Sequence, residues 1–243
     1  MNWIKPDWPL PAHIHAAVTL RSGGVSVGAF STLNPATHVN DYSDHVNRNR
    51  EIIKEMLQLP SEPVWLQQVH GVRVIKADTV NGLECADASY TDQPGVVCAI
   101  LTADCLPVLF CGDGGRVVAA AHAGWRGLQA GILSETFKQM NCQSVLAWLG
   151  PAIGPRHFEV GEAVYNAFVD DSAVYKTAFQ AISSGKWLAD IYQLARIQLN
   201  HLGVKQIYGG GLCTVTDAAR FYSYRRDGAV TGRMASLIWS SKS

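Results

Sequence analysis

The sequence predicts a layered α/β (α+β) sandwich, and three observations carry that prediction. Short apolar runs of strand length alternate with segments of helical periodicity along the whole chain. Turns rich in Gly, Pro and Asp separate them, while no repeat, charge block or low-complexity linker interrupts the order, so a single domain over residues 1–243 is expected. Hydrophobic residues make up 48% of the 243 and charged residues 16%, a balance that supports a sizeable buried core and excludes a disordered chain.

Residues 14–21 form an apolar run closed by Gly23-Gly24, a strand and its turn. Ser43 is placed to cap a helix to about residue 57, in which Val46, Ile53 and Leu57 recur near helical spacing. Short apolar runs follow at 64–66 and 72–75, the first leading into His70. Residues 96–101, 108–111 and 116–121 are apolar and partly β-branched, divided by turn signals that include Gly112-Asp113-Gly114-Gly115, and read as buried strands of one sheet. A helix over 128–140 puts Leu128, Ile132, Thr136 and Met140 on one face, and a strand at 145–149 runs into Gly150-Pro151-Ala152-Ile153-Gly154-Pro155, too rich in Gly and Pro to be helix. Helices at 159–169 and 188–201, the second with Leu188, Ile191, Tyr192, Ala195 and Leu199 at helical intervals, precede strands at 206–208, 221–224 and 234–239.

Composition excludes several classes of function. Lys plus Arg and Asp plus Glu number 20 each, so no global field favours nucleic acid or an anionic membrane surface. No stretch reaches the roughly 18 apolar residues of a membrane span; the best, 95–110, is interrupted by Asp104 and Pro107. The first nine residues carry an Asp and two prolines where a secretory signal needs an apolar run, so a cytoplasmic location is expected. The six cysteines then read as free thiols, Cys98 and Cys111 among them in the core. Neither GxGxxG after a first strand nor a P-loop occurs, which argues against dinucleotide and P-loop nucleotide binding.

His70, Cys105 and His122 each sit in a Gly- or Asp-marked turn beside an apolar strand. Two imidazoles and a thiolate suit zinc or copper, and three protein ligands leave a tetrahedral ion one open position, as in a catalytic site. Their spacings of 35 and 17 residues match no local zinc motif, and each residue type taken alone is more often part of the core or its rim than a ligand. Asp104, beside Cys105, is a candidate to orient an imidazole, to act as general acid or base, or to cap the turn before Pro107. Arg126, in a Gly-bounded stretch that reads as an exposed loop, and the pair Arg225-Arg226 are candidates for holding an anion; Arg21, Arg48 and Arg233 are weaker ones. Phe221, Tyr222 and Tyr224 offer either an aromatic wall for a flat ligand or ordinary packing.

Taken together, Thr19 to Ser26, Ser31 to Asn34, Asn47 to Arg50, Trp65 to Gly71, Ala86-Asp87-Ala88, Thr102 to Pro107, His122 to Gly127, Gly150 to Gly154 and Phe221 to Asp227 resemble the bacterial YfiH family over residues 19–239. That family is also called the polyphenol oxidase or laccase-domain family, and a family of purine nucleoside phosphorylases. The resemblance implies an αββα fold shared with the catalytic domain of cytotoxic necrotizing factor toxins, and metal ligation by His70, Cys105 and His122, with zinc favoured over copper. It also implies phosphorolysis of adenosine, inosine and methylthioadenosine with deamination of adenosine as a side activity; the sequence itself is silent on whether the chain is a monomer or homodimer. Cys105, Asp104 and His122 are then the catalytic candidates, and Asn34, Arg48, Arg126 and Arg225 the substrate-binding ones. Where many relatives carry adjacent cysteines after Gly154-Pro155, this chain has Arg156-His157, so no thiol-dependent role is expected of that loop.

Three alternatives stand beside this reading. Copper-dependent polyphenol oxidation by a multicopper centre needs several His-x-His motifs; among eight histidines only His13-Ile14-His15 has that form. An editing hydrolase that removes a wrong amino acid from a nucleotide-linked peptidoglycan precursor would suit a zinc or cysteine site equally well. A zinc-storage or interaction module requires a fourth protein ligand, for which His38 and His157 are the candidates.

Overall fold

The computed structural model describes residues 2–241. In chain order its strands are β1 (Trp3–Ile4), β2 (Ile14–Thr19), β3 (Leu66–Gln67), β4 (Val74–Lys76), β5 (Glu84–Cys85), β6 (Ala88–Thr91), β7 (Val97–Thr102), β8 (Leu106–Gly112), β9 (Val117–Ala123), β10 (Val145–Leu149), β11 (Glu159–Gly161), β12 (Phe179–Ser183), β13 (Lys186–Ala189), β14 (Gln206–Gly209) and β15 (Met234–Ser240). The α-helices are α1 (Ser43–Leu57), α2 (Trp125–Ala130), α3 (Ile132–Met140), α4 (Glu162–Val169), α5 (Ile191–His201) and α6 (Tyr224–Asp227).

Two sheets form the centre: a four-stranded one in the order β1-β2-β15-β7 and a mixed six-stranded one in the order β14-β10-β8-β9-β6-β4. Because alternate side chains leave a strand on opposite faces, each strand serves two cores. In β7, Cys98 and Ile100 meet Leu109 and Cys111 of β8 and Val118 and Ala120 of β9 between the sheets. Val97, Ala99 and Leu101, joined by Ala235, Leu237 and Trp239 of β15, pack outward against Ile53 of α1 and against Leu33 in the loop before it. On the far side Leu106, Val108 and Phe110 of β8 and Val117, Ala119 and Ala121 of β9 bury under Leu128, Ile132, Leu133 and the apolar face of α5. The layering is therefore helix, sheet, sheet, helix, and β7, β8 and β9, buried on both faces, are apolar except near their ends, where Thr102 and His122 fall.

Several elements differ from the sequence expectation. β7 belongs to the four-stranded sheet and β8 with β9 to the six-stranded one, so the three central runs do not share one sheet. Periodicity fixes burial on both faces and is silent about the neighbour. The helix expected at 128–140 is two: Gly131 at φ 97° closes α2 in a left-handed cap and α3 starts anew. α2 begins at Trp125, so Arg126 lies in a first helical turn rather than a loop. Glu159 to Gly161 and Leu188 extend as strands of a small β11-β13-β12 sheet, and the helices start later, α5 at an Asp190 carboxylate that accepts from the Tyr192 and Gln193 amides. Residues 221–224 form no strand: Phe221 and Tyr222 are fully buried, and Ser223 caps the short α6. Ser43 opens α1 from inside, with Tyr42 in the cap position.

Candidate metal centre

Register brings the site together. β8 and β9 pair antiparallel with Pro107 opposite His122, which carries Cys105 to the level of Gly124. β6 pairs with β9 so that Ala88 opposes Ala121, and Asp87, one residue earlier, falls opposite His122. The His122 amide donates to the Asp87 carbonyl at 2.7 Å, continuing the ladder. By the alternation of β9, His122 points between the sheets, at the end where they part.

The Asp87 carboxylate, fully buried, organises the third component. Its Oδ1 accepts from the His70 amide (2.8 Å) and from His122 Nδ1 (2.8 Å), and its Oδ2 from the amides of Val69 (3.2 Å) and Gly71 (2.7 Å). Three converging amides make an anion nest, and they hold His70 at φ 62°, a left-handed conformation uncommon for a residue with a Cβ. Burial alone would raise the Asp87 pKa; the His122 bond and the backbone donors outweigh it and lower it. Gln68 pins the same loop to β7, donating to the Leu101 carbonyl and accepting from the Leu101 amide, both at 2.8 Å.

The result is one group of three donors, His70, Cys105 and His122, with ligand atoms all within 4.8 Å of one another and His70 Nε2 3.7 Å from Cys105 Sγ. Tetrahedral coordination at zinc bond lengths requires donors about 3.3–3.6 Å apart, so the residues fit an ion after small adjustments. Because Asp87 takes Nδ1 of His122, Nε2 is left to face the centre, the usual carboxylate-histidine-metal relay. Burial would raise the Cys105 thiol, but His122 and His70 beside it hold it down to about 6. Burial would lower His122, but Cys105 and Asp87 raise it to about 9. The pair is thus poised as thiolate and imidazolium, and a metal would replace the proton. Gly124 makes room for the trio: a Cβ there would lie 3.0 Å from Cys105 Sγ and 3.1 Å from His70 Cδ2.

The trio lines a cleft of about 480 Å³ together with His38, Gln68, Asp104, Trp125, Arg126, Arg225 and Arg233, within the range of small-molecule sites. Asp104 lies in its wall at φ 87°, but its carboxylate accepts from the Thr214 and Ser223 hydroxyls and from the Arg225 amide, and it touches no imidazole. The orienting role considered for Asp104 is performed by Asp87, whose place in Ala86-Asp87-Ala88 was visible in sequence without a stated role. Arg225 lines the cleft with its terminal nitrogens on the carbonyls of His157 (3.0 Å) and Glu159 (3.3 Å). Two candidates lie elsewhere. Arg48 pairs with Glu51 and Glu55 on the exposed side of α1, and Asn34, fully buried, ties Ala36, Asp41 and the Arg233 amide together. Of the fourth-ligand candidates, His38 lines the cleft without joining the donor group, and His157 bonds Thr216 outside it.

Residues 15–241 match the family model described as multi-copper polyphenol oxidoreductase laccase. The chain belongs to the YfiH family. It is 53% identical to the purine nucleoside phosphorylase YfiH of Escherichia coli, covering 97% of this chain and 98% of the relative. The purine nucleoside phosphorylase of Pseudomonas aeruginosa is also 53% identical, over 98% of each chain. The crystal structure of a Neisseria meningitidis protein of 49% identity matches with a TM-score of 0.96 over the whole of both chains. That of YlmD from Geobacillus stearothermophilus, 30% identical, matches at 0.90 over 100% of this chain and 97% of that one. The model's description speaks of several coppers, whereas the described residues of this YfiH-family chain gather a single three-donor group.

Proposed function

We propose that this chain is a purine nucleoside phosphorylase whose reaction takes place in the cleft of His70, Cys105 and His122. The observation that carries the reading is the composition of that cleft: a three-donor metal group, cationic side chains for an anion and aromatic walls for a flat base meet in one cavity. Relatives about half identical over essentially their full length bear the same activity in their names.

In phosphorolysis a phosphate oxygen forms a bond to C1′ as the C1′–N9 bond breaks. The electron pair leaves with the purine, which takes up the proton the phosphate gives, so inosine and phosphate become hypoxanthine and ribose 1-phosphate. The chain's own contribution is positioning and charge: arginine for the phosphate, apolar and aromatic walls for the base, and exclusion of water. His70, Cys105 and His122 would hold a metal ion such as zinc, which when bound would supply Lewis-acid chemistry. Asp87 keeps His122 in the ligating tautomer. Deamination of adenosine belongs to the same proposal as the slower activity, because Asp104, the sole acidic residue lining the cleft among the described residues, already receives three hydrogen bonds and is poorly placed to shuttle protons. Action in the cytoplasm fits six free cysteines and the absence, among the described residues, of a helix long and apolar enough to cross a membrane.

The test is incubation of the purified protein with inosine, with and without phosphate, followed by chromatography for hypoxanthine and ribose 1-phosphate. Cleavage that needs phosphate and is lost in Cys105→Ala and His122→Ala supports the proposal. Cleavage independent of phosphate, or full activity in both variants, refutes it. Release of the wrong amino acid from a peptidoglycan precursor, with nucleosides untouched, would establish the editing hydrolase instead.

A further inference from the structure

We propose that Arg233, beside His38 at the α1 side of the cleft, is the residue that holds the phosphate, with the purine at the opposite end against Trp125, Phe158 and Ile191. The identity of the anion rests on the phosphorylase reading; the anion subsite itself rests on geometry.

The arginines of this chain are not equivalent. Arg48 is spent on two glutamates at the surface, and Arg225 places its terminal nitrogens on two backbone carbonyls. Arg126 is exposed and lies over the ring of its own neighbour Trp125, at 4.6 Å from the centroid, in the first turn of the short α2. Arg233 is half-buried, and its Nη1 donates to the carbonyls of Thr231 (2.8 Å) and Gly232 (3.0 Å). Among the described residues its Nε and Nη2 meet no acceptor and its guanidinium pairs with no carboxylate. Those two nitrogens share one edge of the planar guanidinium and form the fork from which phosphate accepts two hydrogen bonds. A guanidinium taken partly out of water without a counter-ion costs free energy that an arriving anion returns.

Position agrees with this role. Arg233 lines the same cleft as His70, Cys105 and His122, so an anion on its fork shares the cavity with the metal group. The Arg233 amide is itself fixed, donating 3.0 Å to the Asn34 side chain, so the buried Asn34 acts as a support for the arginine rather than as a ligand for substrate. Burial first, then the cations of Arg233 and Arg50, lower the His38 pKa, so that near neutral pH His38 adds a neutral hydrogen-bond donor beside the fork. The other end of the cleft, lined by Trp125, Ile153, Phe158 and Ile191, offers apolar surface of the kind a purine face covers.

The test is calorimetric titration of the metal-loaded protein with inorganic phosphate, together with steady-state phosphorolysis of inosine, on wild type, Arg233→Gln, Arg233→Lys and Arg126→Gln. Loss of a bidentate charged contact predicts phosphate binding weaker by about 10- to 100-fold in Arg233→Gln, with KM for phosphate raised in parallel and KM for inosine within about twofold. Arg233→Lys, which keeps the charge without the fork, should fall between, and it carries the test if Arg233→Gln loses metal or fails to fold. Arg126→Gln should change phosphate affinity by less than about threefold. Wild-type phosphate affinity in both Arg233 variants, no phosphate binding by wild type, or loss in Arg126→Gln alone would overturn the assignment. Phosphate binding that depends on Arg233 in a protein that cleaves no nucleoside would keep the subsite and discard the phosphorylase.

Discussion

Asp87→Asn is the substitution that most directly probes how the fold builds the metal group. It preserves shape and removes the charge of a carboxylate that receives His122 Nδ1 and the amides of Val69, His70 and Gly71. An asparagine has two orientations, and both fail. With its amide nitrogen in place of Oδ2 it confronts the N–H groups of Val69 and Gly71. In place of Oδ1 it confronts the His70 amide and obliges His122 Nδ1 to accept, which moves the imidazole proton to Nε2, where the metal should bind. Each charge-assisted bond lost contributes roughly 1.5–3 kcal/mol and a mispaired buried donor costs a similar amount, so a loss of about 3–5 kcal/mol in stability is expected. Metal affinity should fall by about 10- to 100-fold. The assays are competition for zinc against a chromogenic chelator and thermal unfolding with and without metal. An Asn variant that melts lower yet binds zinc as tightly as wild type would show that Asp87 serves the fold alone, and the argument from tautomer would be wrong.

Three further outcomes are expected. The lowered Asp87 pKa contributes stability that is present above the ordinary carboxylate value near 4 and is lost as pH falls through the folded value, so acid unfolding followed by circular dichroism should show a smaller pH dependence in Asp87→Asn. In metal-free protein near pH 7, Cys105, held near 6, should be alkylated by iodoacetamide well before Cys111 and Cys142, both pushed up to about 11 by burial, and zinc should protect it; peptide mass mapping that finds equal rates would refute the thiolate assignment. Tyr192→Phe should destabilise by about 2 kcal/mol and lower Tm by about 4–8 °C, because the hydroxyl satisfies the Ala152 amide in the bend after β10 and the Leu212 carbonyl in the loop after β14. An unchanged Tm would mean that water or the backbone replaces it.

Much of this architecture is legible in the residues because burial and periodicity are local. The unbroken apolar runs of β7, β8 and β9 announce strands covered on both faces, and α1 shows its Val46 and Ile53 stripe. What failed locally did so for identifiable reasons. β5, β6, β11, β12 and β13 are short and mixed in polarity, so their extended form is set by pairing rather than propensity. Gly131 divides a stretch whose apolar spacing runs on through it, because the pattern repeats on either side of a left-handed cap. Arg126 in its glycine-flanked setting reads as loop, yet Gly124 is the cap of a helix and Gly127 is buried within it at 3.3 Å from the Gly71 carbonyl, measured from the Cβ it lacks.

The sequence by itself determined the layered class and, through its run of motifs, the family, and it singled out His70, Cys105 and His122 as candidate donors, since residue type and local pattern carry that much. Only the tertiary structure decided what supports them. Asp87 meets His122 through the β6–β9 register, Asp104 is drawn away by Thr214 and Ser223 from more than a hundred residues downstream, and Arg233 reaches the cleft from the start of the last strand. Those relations depend on which strands become neighbours and on where each side chain's hydrogen bonds are already spent. Both are properties of the packed chain, settled by contacts distant in sequence.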